Sequence, residues 1–491
     1  MRNSLSSFLV LGLMAGSLAL PACEDSGGGT GGTGASTTTG GGGSTTDGGG
    51  GSGAATTGGA GGSTTGGGGT GGSAPVCPSG SGTPEVLKGD ISADKTLTAD
   101  KIWMLEGIVY VNAGATLTIE PGTKIMGDKA SLGTLVIQPG AKIIADGEKD
   151  CPIVFTSASP EGSRKPGDWG GVVVLGKAKV NLPNGQGNVE GIPVSPETTY
   201  GGENDADDSG VLRYVRIEFA GVQLSPNNEI NGLTFAGVGD KTVVDYVQVL
   251  WPFDDCFEFF GGKVNAKHLL CAYPEDDSFD WDNGYSGKLQ FLAAITSPVS
   301  GEEAGGNEGD NDKDSSLNTP LSNPTIYNQT VCGMNLPTAN AKQQYGWLIR
   351  RSSKATIANA LATGFQACVD IRDANTQVTM TNSVCFGNGY DLAENNIAFA
   401  ETVDGAGALK DDDAGLDERA WFKEAAKMNA ETDPKIDCFA ATPNFVPETT
   451  ITANAKAPPN DGFFDATANY VGAFQAGENW ATGAWVSFAK D

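Results

Sequence analysis

The chain predicts an all-β fold, a parallel β-helix solenoid, and three observations predict it. First, Asp254-Asp255-Cys256-Phe257-Glu258-Phe259 recurs 22 residues later as Asp276-Asp277-Ser278-Phe279-Asp280-Trp281, and Gly262 and Gly284 follow at the same spacing. Second, Thr116-Leu117-Thr118-Ile119-Glu120-Pro121-Gly122 is echoed 18 residues later by Thr134-Leu135-Val136-Ile137-Gln138-Pro139-Gly140. Third, apolar residues alternate with period two almost throughout, and helical periodicity is nearly absent. Repeats of about two dozen residues mark solenoids, in which no single repeat can bury its own apolar face and each must stack on its neighbour.

The elements follow in chain order. Residues 1–22 have the layout of an export leader: Arg2, an apolar run from Leu5 to Leu20, then Leu20-Pro21-Ala22-Cys23. The run is shorter than the roughly 20 residues a membrane span requires. Leu20-Pro21-Ala22-Cys23 resembles the bacterial lipobox, with Pro21 a departure from its usual small residue, and it makes Cys23 the candidate site of acylation. Stable anchoring there needs more than one acyl chain.

Residues 23–76 then form a low-complexity linker, almost wholly Gly, Thr, Ser and Ala. Such a segment has too little apolar surface to offset its ordering entropy, and the expectation is a disordered tether with a mean reach of about 40 Å. The folded domain is expected over residues 77–491.

Within that domain Leu117, Ile119 and Ile125 fall on Leu135, Ile137 and Ile143, with Pro-Gly turning the chain between strands. The 18-residue offset suggests one rung, each strand pairing with its counterpart about 4.8 Å away. Val243-Val244-Asp245-Tyr246-Val247 and Val264-Asn265-Ala266-Lys267-His268 occupy matching places on later rungs. One helical pattern stands out near 415–430, beginning at Leu416, entered from Asp411-Asp412-Asp413 and placing Trp421, Phe422, Ala425 and Met428 on one face. It is expected as an insertion or lid on the side of the solenoid.

Nine cysteines become eight once Cys23 is set aside, an even number that suits disulfides in an oxidising compartment. Cys256 with Cys271, and Cys368 with Cys385, are expected as local pairs; the rest of the connectivity is open. The formal net charge of −28 falls almost entirely on the folded part, because residues 1–76 carry only Arg2, Glu24, Asp25 and Asp47. That balance argues against nucleic acid and anionic membrane surfaces as partners.

The 22-residue register stacks acid on acid: Asp254 on Asp276, Asp255 on Asp277, Glu258 on Asp280. Like charges about 5 Å apart repel by about 0.8 kcal/mol even in bulk water, and more where water is scarce. A hard cation such as Ca²⁺, with about six to eight oxygen ligands, would relieve this, and Asp282, Asp310 and Asp312 could complete its shell. The alternative is a solvated acidic ridge whose carboxylates cap turns. Asp310-Asn311-Asp312-Lys313-Asp314 and Asp205-Ala206-Asp207-Asp208-Ser209-Gly210 both miss the EF-hand pattern, the first at Ser315 and Leu321, the second at Arg216.

His268 is the only histidine, set in a strand-like run, and a packed or boundary residue is the expectation for it. With one histidine and no nucleophile-elbow motif in the folded part, a serine triad or His/Cys zinc site has little to build on. No catalytic residue is assigned.

Several stretches resemble exported bacterial right-handed parallel β-helix lipoproteins, a family mostly without assigned activity. They include Trp169-Gly170-Gly171-Val172-Val173-Val174-Leu175-Gly176, Asn228-Glu229-Ile230-Asn231-Gly232-Leu233-Thr234, the two acidic blocks, Glu308-Gly309-Asp310-Asn311-Asp312, and Tyr470-Val471-Gly472-Ala473-Phe474. The resemblance implies a fold and a place in the cell envelope, lipid-anchored in the outer membrane, and no reaction. The leading expectation is a non-enzymatic surface or periplasmic module, calcium-stabilised, that is structural or binds polysaccharide or another surface protein. The alternative is a carbohydrate-active enzyme, a polysaccharide lyase or glycoside hydrolase. Asp254-Asp255 resembles superficially the paired aspartates of β-helix galacturonan hydrolases, and stacked rungs readily give the roughly 5–9.5 Å between carboxyls that glycoside hydrolysis uses.

Overall fold

In the computed structural model, residues 77–78, 80–225, 228–297, 305–333, 345–388, 402–403, 409–410 and 415–491 are described, and they belong to one compact unit. The leader, Cys23, the tether and the Asp411-Asp412-Asp413 helix entry lie outside them.

The alternating segments pair as the repeats require. Leu233–Ala236 lies parallel to Phe257–Phe260, that strand to Phe279–Asp282, and that one to Asn307–Gly309. Phe257 sits opposite Phe279, and Glu258 opposite Asp280, as the 22-residue register demands. This front ladder is one of three. A base ladder runs through Gly210–Arg213, Val243–Asp245, Asn265–Lys267 and Lys288–Gln290, and a back ladder through Val215–Glu218, Val247–Leu250 and Leu269–Ala272. Each turn of the chain visits base, back and front in that order, the pattern of a right-handed parallel β-helix.

The early repeat has a different meaning from the expected one. Leu117 pairs with Ile143 on the base ladder, whereas Leu135 pairs with Val109 and Val172 on the front ladder. The 18-residue echo therefore links two sides of one coil, and the true rung is longer. Every side has the same inward-apolar strand and the same turn, so adjacent sides look alike in sequence.

Inward residues stack into a continuous core. Leu135, Val172, Leu233, Phe257 and Phe279 form one column of the front ladder, all buried. Phe257 and Phe279 stack at 5.5 Å, and Phe235 and Phe259 at 5.6 Å. Trp169, Trp281 and Trp347 are fully buried in the same core. The two expected local disulfides are present, together with Cys77–Cys151 and Cys332–Cys438.

The corner between base and back ladders carries one left-handed residue on successive rungs: Tyr214, Tyr246, His268, Phe291, Asn328, Asn359 and Asn382, with φ from 47° to 61°. Aromatic residues rarely adopt this conformation, and it persists where packing over-determines it. Here Tyr214 stacks on Tyr246 at 4.6 Å and Tyr246 on His268 at 4.1 Å. The C-terminal segment runs back along this corner. Asn359 Nδ2 donates to Lys456 O at 2.7 Å, Asn328 Nδ2 to Tyr470 O at 2.7 Å, and Gln248 Nε2 to Ser487 O at 2.6 Å.

The expected helix is much shorter. Glu418–Phe422 is α-helical, capped by Asp417, and Ala425–Lys427 is a single 3₁₀ turn followed by left-handed Met428. Strand pairing overrides helical pattern, because Asn382 N donates to Lys427 O and Ala430 N to Ser383 O, both at 2.8 Å. Phe422 enters the core, Trp421 packs partly against it, and Met428 points to solvent. Nor is the element a lateral lid: Glu418 accepts the Ile371 N–H, so the helix caps the last front strand.

Removing one ring from the front column should cost what a large core truncation costs. Phe279→Ala is expected to destabilise the domain by about 3–5 kcal/mol, measured as a lowered denaturant midpoint; an unchanged midpoint would contradict the stacked core.

Candidate metal centre

Outward residues of the front ladder change character along the solenoid. One column reads Val136, Val173, Thr234, Glu258, Asp280, Glu308. The apolar end is covered by Val180, Val189, Ile192 and Tyr200, supplied by the long connection that follows Leu175. Beyond that cover the column turns acidic. The back-to-front turns add Asp254 and Asp255 on one rung, Asp276 and Asp277 on the next, because the rung that stacks Phe257 on Phe279 also stacks the residues just before them.

These groups line a pocket of about 430 Å³ with nine carboxylates and a single guanidinium, that of Arg350. Two subsets have carboxylate oxygens all within 4.8 Å of one another: Asp254, Asp255 and Asp276, and Asp255, Glu258 and Asp280. Asp255 belongs to both. Its Oδ1 accepts the Asp277 N–H at 2.9 Å, and its own N–H donates to Asn231 Oδ1 at 3.2 Å. Asn231 Nδ2 in turn donates to Glu258 Oε2. The first cluster is therefore braced by backbone and by an amide that no acidic pattern announces.

Burial, then the neighbouring acids, pushes Asp255, Glu258, Asp277 and Asp280 well above the usual carboxylate range. Burial also lifts Glu308 to about 8, although Arg350 opposes it. Asp280 Oδ1 is buried with no hydrogen-bond partner among the described residues. An orphaned buried carboxylate oxygen among crowded acids is costly unless a proton or a cation occupies the site. The donor set is oxygen only, which suits a hard cation. The clusters can hold a metal ion.

Three residues expected in the shell are engaged elsewhere. Asp312 accepts the N–H groups of Asp314 and Ser316 at 3.0 and 2.9 Å, capping its own turn. Asp310 is bridged by Arg350 at 3.1 Å and Arg351 at 2.6 Å. Asp282 accepts the Asn283 N–H at 2.6 Å, and burial with Asp310 nearby lifts it to about 7. The Asp205–Gly210 run is likewise structural: Asp208 pairs with Lys142 at 2.5 Å, and Asp205 accepts the Lys179 N–H.

Sequence reasoning passed over Arg350, Glu308, Asn231, Glu190 and Glu229, all of which line the pocket. Glu308-x-Asp310 does repeat the Asp280-x-Asp282 spacing on the next front strand, a signal that was available. Glu190 comes from the long connection after Leu175 and Glu229 from a two-stranded antiparallel hairpin beside the ladder, so neither has a rung register to betray it. Glu190 keeps much of its side chain in solvent, yet the surrounding loops and then Glu229 lift it to about 7.

A parallel β-helix with a walled, acidic front face defines the class. The chain belongs to the family of pectate-lyase-like β-helix domains, whose model matches residues 89–441. A solved structure titled as pectate lyase Pel9A is 13% identical, over 74% of this chain and 89% of that one, with a TM-score of 0.30. No curated protein matches the sequence significantly.

The raised carboxyls set the sign of the pH response. In the cation-free protein the folded state binds protons that the unfolded chain releases, so stability is greatest near pH 4 and falls as pH rises toward about 8. Melting temperatures in EDTA should decline across that window, and excess Ca²⁺ should reverse the decline, by about 2.7 kcal/mol at one hundred times its Kd. A melting curve indifferent to both pH and Ca²⁺ would remove the metal centre.

Proposed function

We propose that the protein is a calcium-dependent, carbohydrate-active β-helix protein that acts on acidic polysaccharide by lyase-type elimination. The observation that carries this is the neighbourhood of the carboxylate clusters with Arg350 in one open pocket. The fold family, described as pectate-lyase-like, supports the same class of activity.

The chemistry follows from the parts. A uronate polymer presents a carboxylate beside an acidic carbon–hydrogen bond; a base takes that proton, the electron pair forms a C=C bond with the adjacent carbon, and that carbon's glycosidic oxygen leaves and takes a proton from solvent, so the chain is cleaved without addition of water. Ca²⁺ held by Asp254, Asp255 and Asp276, or by Asp255, Glu258 and Asp280, would bind that carboxylate and acidify the adjacent C–H. Arg350 is held firmly charged: burial works against its charge, but Glu308 and Asp310 outweigh burial. It is therefore suited to holding negative charge as it develops, and not to accepting a proton. Lys263, Lys267 and Lys288, the bases nearest in sequence, do not line the pocket; Lys263 and Lys288 are paired with Asp205 and Asp461, and Lys267 lies over the Phe463 ring. Glu190 lies outside both ligand clusters and titrates at about 7, which fits proton transfer near neutrality.

The site would work at a distance from a bilayer. Leu20-Pro21-Ala22-Cys23 and the Gly/Thr/Ser linker support a lipid anchor and a stalk in the bacterial cell envelope. Among the described residues no helix is long and apolar enough to cross a membrane.

With polygalacturonate and Ca²⁺, the purified chain should generate unsaturated ends, read by their ultraviolet absorbance. EDTA should abolish the signal, and Arg350→Lys or Asp280→Asn should lower it about 10²–10³-fold. Calcium-dependent retention of the polymer without any product would replace the lyase by a non-enzymatic binding module. Separately, Cys23→Ser should release the protein from the membrane fraction; retention of the variant there would rule out acylation as the anchor.

A further inference from the structure

The left-handed corner and the returning C-terminal segment enclose a second cavity, of about 570 Å³, in which the acidic pocket has no share. His268 stands in its wall. The imidazole is clamped between Tyr246, at 4.1 Å and 4°, and Phe291, at 4.8 Å and 16°, while Trp480 meets it edge-on at 5.2 Å. Asp245 holds Nδ1 at 2.7 Å. Nε2 has no hydrogen-bond partner among the described residues. Three rings and a carboxylate thus fix a single side chain, leaving one nitrogen for something else.

Its neighbour Lys267 also lines the cavity. The ammonium has no hydrogen-bond acceptor or ion pair among the described residues, and lies 4.9 Å over the ring of Phe463. Burial lowers its pKa, and Asp245 and Asp465 resist. Across the cavity stand Asp465 and Glu478. Asp465 binds Thr467, and the Glu478 carboxylate has no hydrogen bond among the described residues. An unused donor, Lys267 Nζ, and an unused acceptor, His268 Nε2, therefore line a space within the range of small-molecule sites, about 300–1,000 Å³. Lys267 and His268 are partly buried, and such groups are costly when unpaired, so the walls favour an occupant that both accepts and donates; Asp465 and Glu478 add exposed acceptors.

We propose that this cavity is a second carbohydrate site, taking an uncharged, hydroxyl-rich sugar unit. A hydroxyl accepts from Lys267 Nζ while donating to His268 Nε2, whose ring proton is held on Nδ1 by Asp245, or to Glu478 or Asp465, and the sugar's C–H groups meet the apolar edges of Phe291 and Trp480. Charge selects against the alternatives. Asp245, Asp465 and Glu478, with no carboxylate cluster among the described residues nearby to hold a bridging cation, repel an anionic polymer. Lys267 repels an organic cation. The site thus differs in ligand class from the acidic pocket and does not depend on its activity.

The sole histidine makes the test direct, because selective labelling of the full chain yields one imidazole signal. Cellohexaose, xylohexaose and mannohexaose are titrated in turn, with tetragalacturonate as the charged counterpart. The expected result is a saturable shift of the His268 signal with at least one neutral oligosaccharide. Lys267→Met and Glu478→Gln should each weaken that saturation at least tenfold, in variants whose near-ultraviolet circular dichroism matches the parent. The proposal is overturned if no neutral sugar moves the signal, if tetragalacturonate alone moves it, or if both correctly folded variants saturate as the parent does.

Discussion

In-register stacking of the rungs is the constraint from which the rest of the molecule derives. A parallel ladder sets each residue about 4.8 Å above its counterpart, so side chains of one kind recur in columns. Inside, this places Phe257 on Phe279 and Phe235 on Phe259, and the columns reinforce one another. Outside, the same spacing places Glu258 beside Asp280 and Asp280 beside Glu308. A lattice that gains stability by repeating apolar rings has no means of separating the acids that share their register.

The acidic pocket is thus a conflict between two levels of the structure. Backbone pairing and core stacking hold the carboxylates close, whereas electrostatics and desolvation push them apart. Protons relieve the conflict at low pH, and a cation relieves it at neutral pH. Arg350 relieves it in part by pairing with Glu308 and Asp310, and Arg351 by pairing with Asp310, at one end of the column. Among the described residues Asp280 Oδ1 keeps no hydrogen-bond partner, although Arg350 lies close enough to temper its charge. The geometry makes cation binding and folding stability two aspects of the same free energy.

Much of this was legible in the sequence, and the residues that were not have a common reason. The 22-residue register identified the acid pairs because strand pairing at that position has no insertion between rungs. The Thr116 and Thr134 echo misled, since every face of a coil carries the same alternation, and spacing alone cannot say which face a strand occupies. Helical pattern at 416–430 was overridden by edge pairing with Asn382 to Cys385. Arg350 and Asn231 could not be read as site residues, because their role depends on which ladder face they occupy. Glu190 and Glu229 reach the pocket from excursions whose lengths obey no repeat.

The left-handed corner shows how such a lattice accommodates irregularity. From Tyr214 to Phe291 its residues are rings, and from Asn328 to Asn382 they are amides, while the backbone conformation stays the same. The amides are satisfied by carbonyls of the returning segment, at Lys456 and Tyr470 among others. The rings present flat apolar surfaces, and the same segment meets them with Trp480 and Trp485 instead. The second cavity lies against the last rings of this series, His268 and Phe291, and against Trp480 of the returning segment, beside the chain's only histidine.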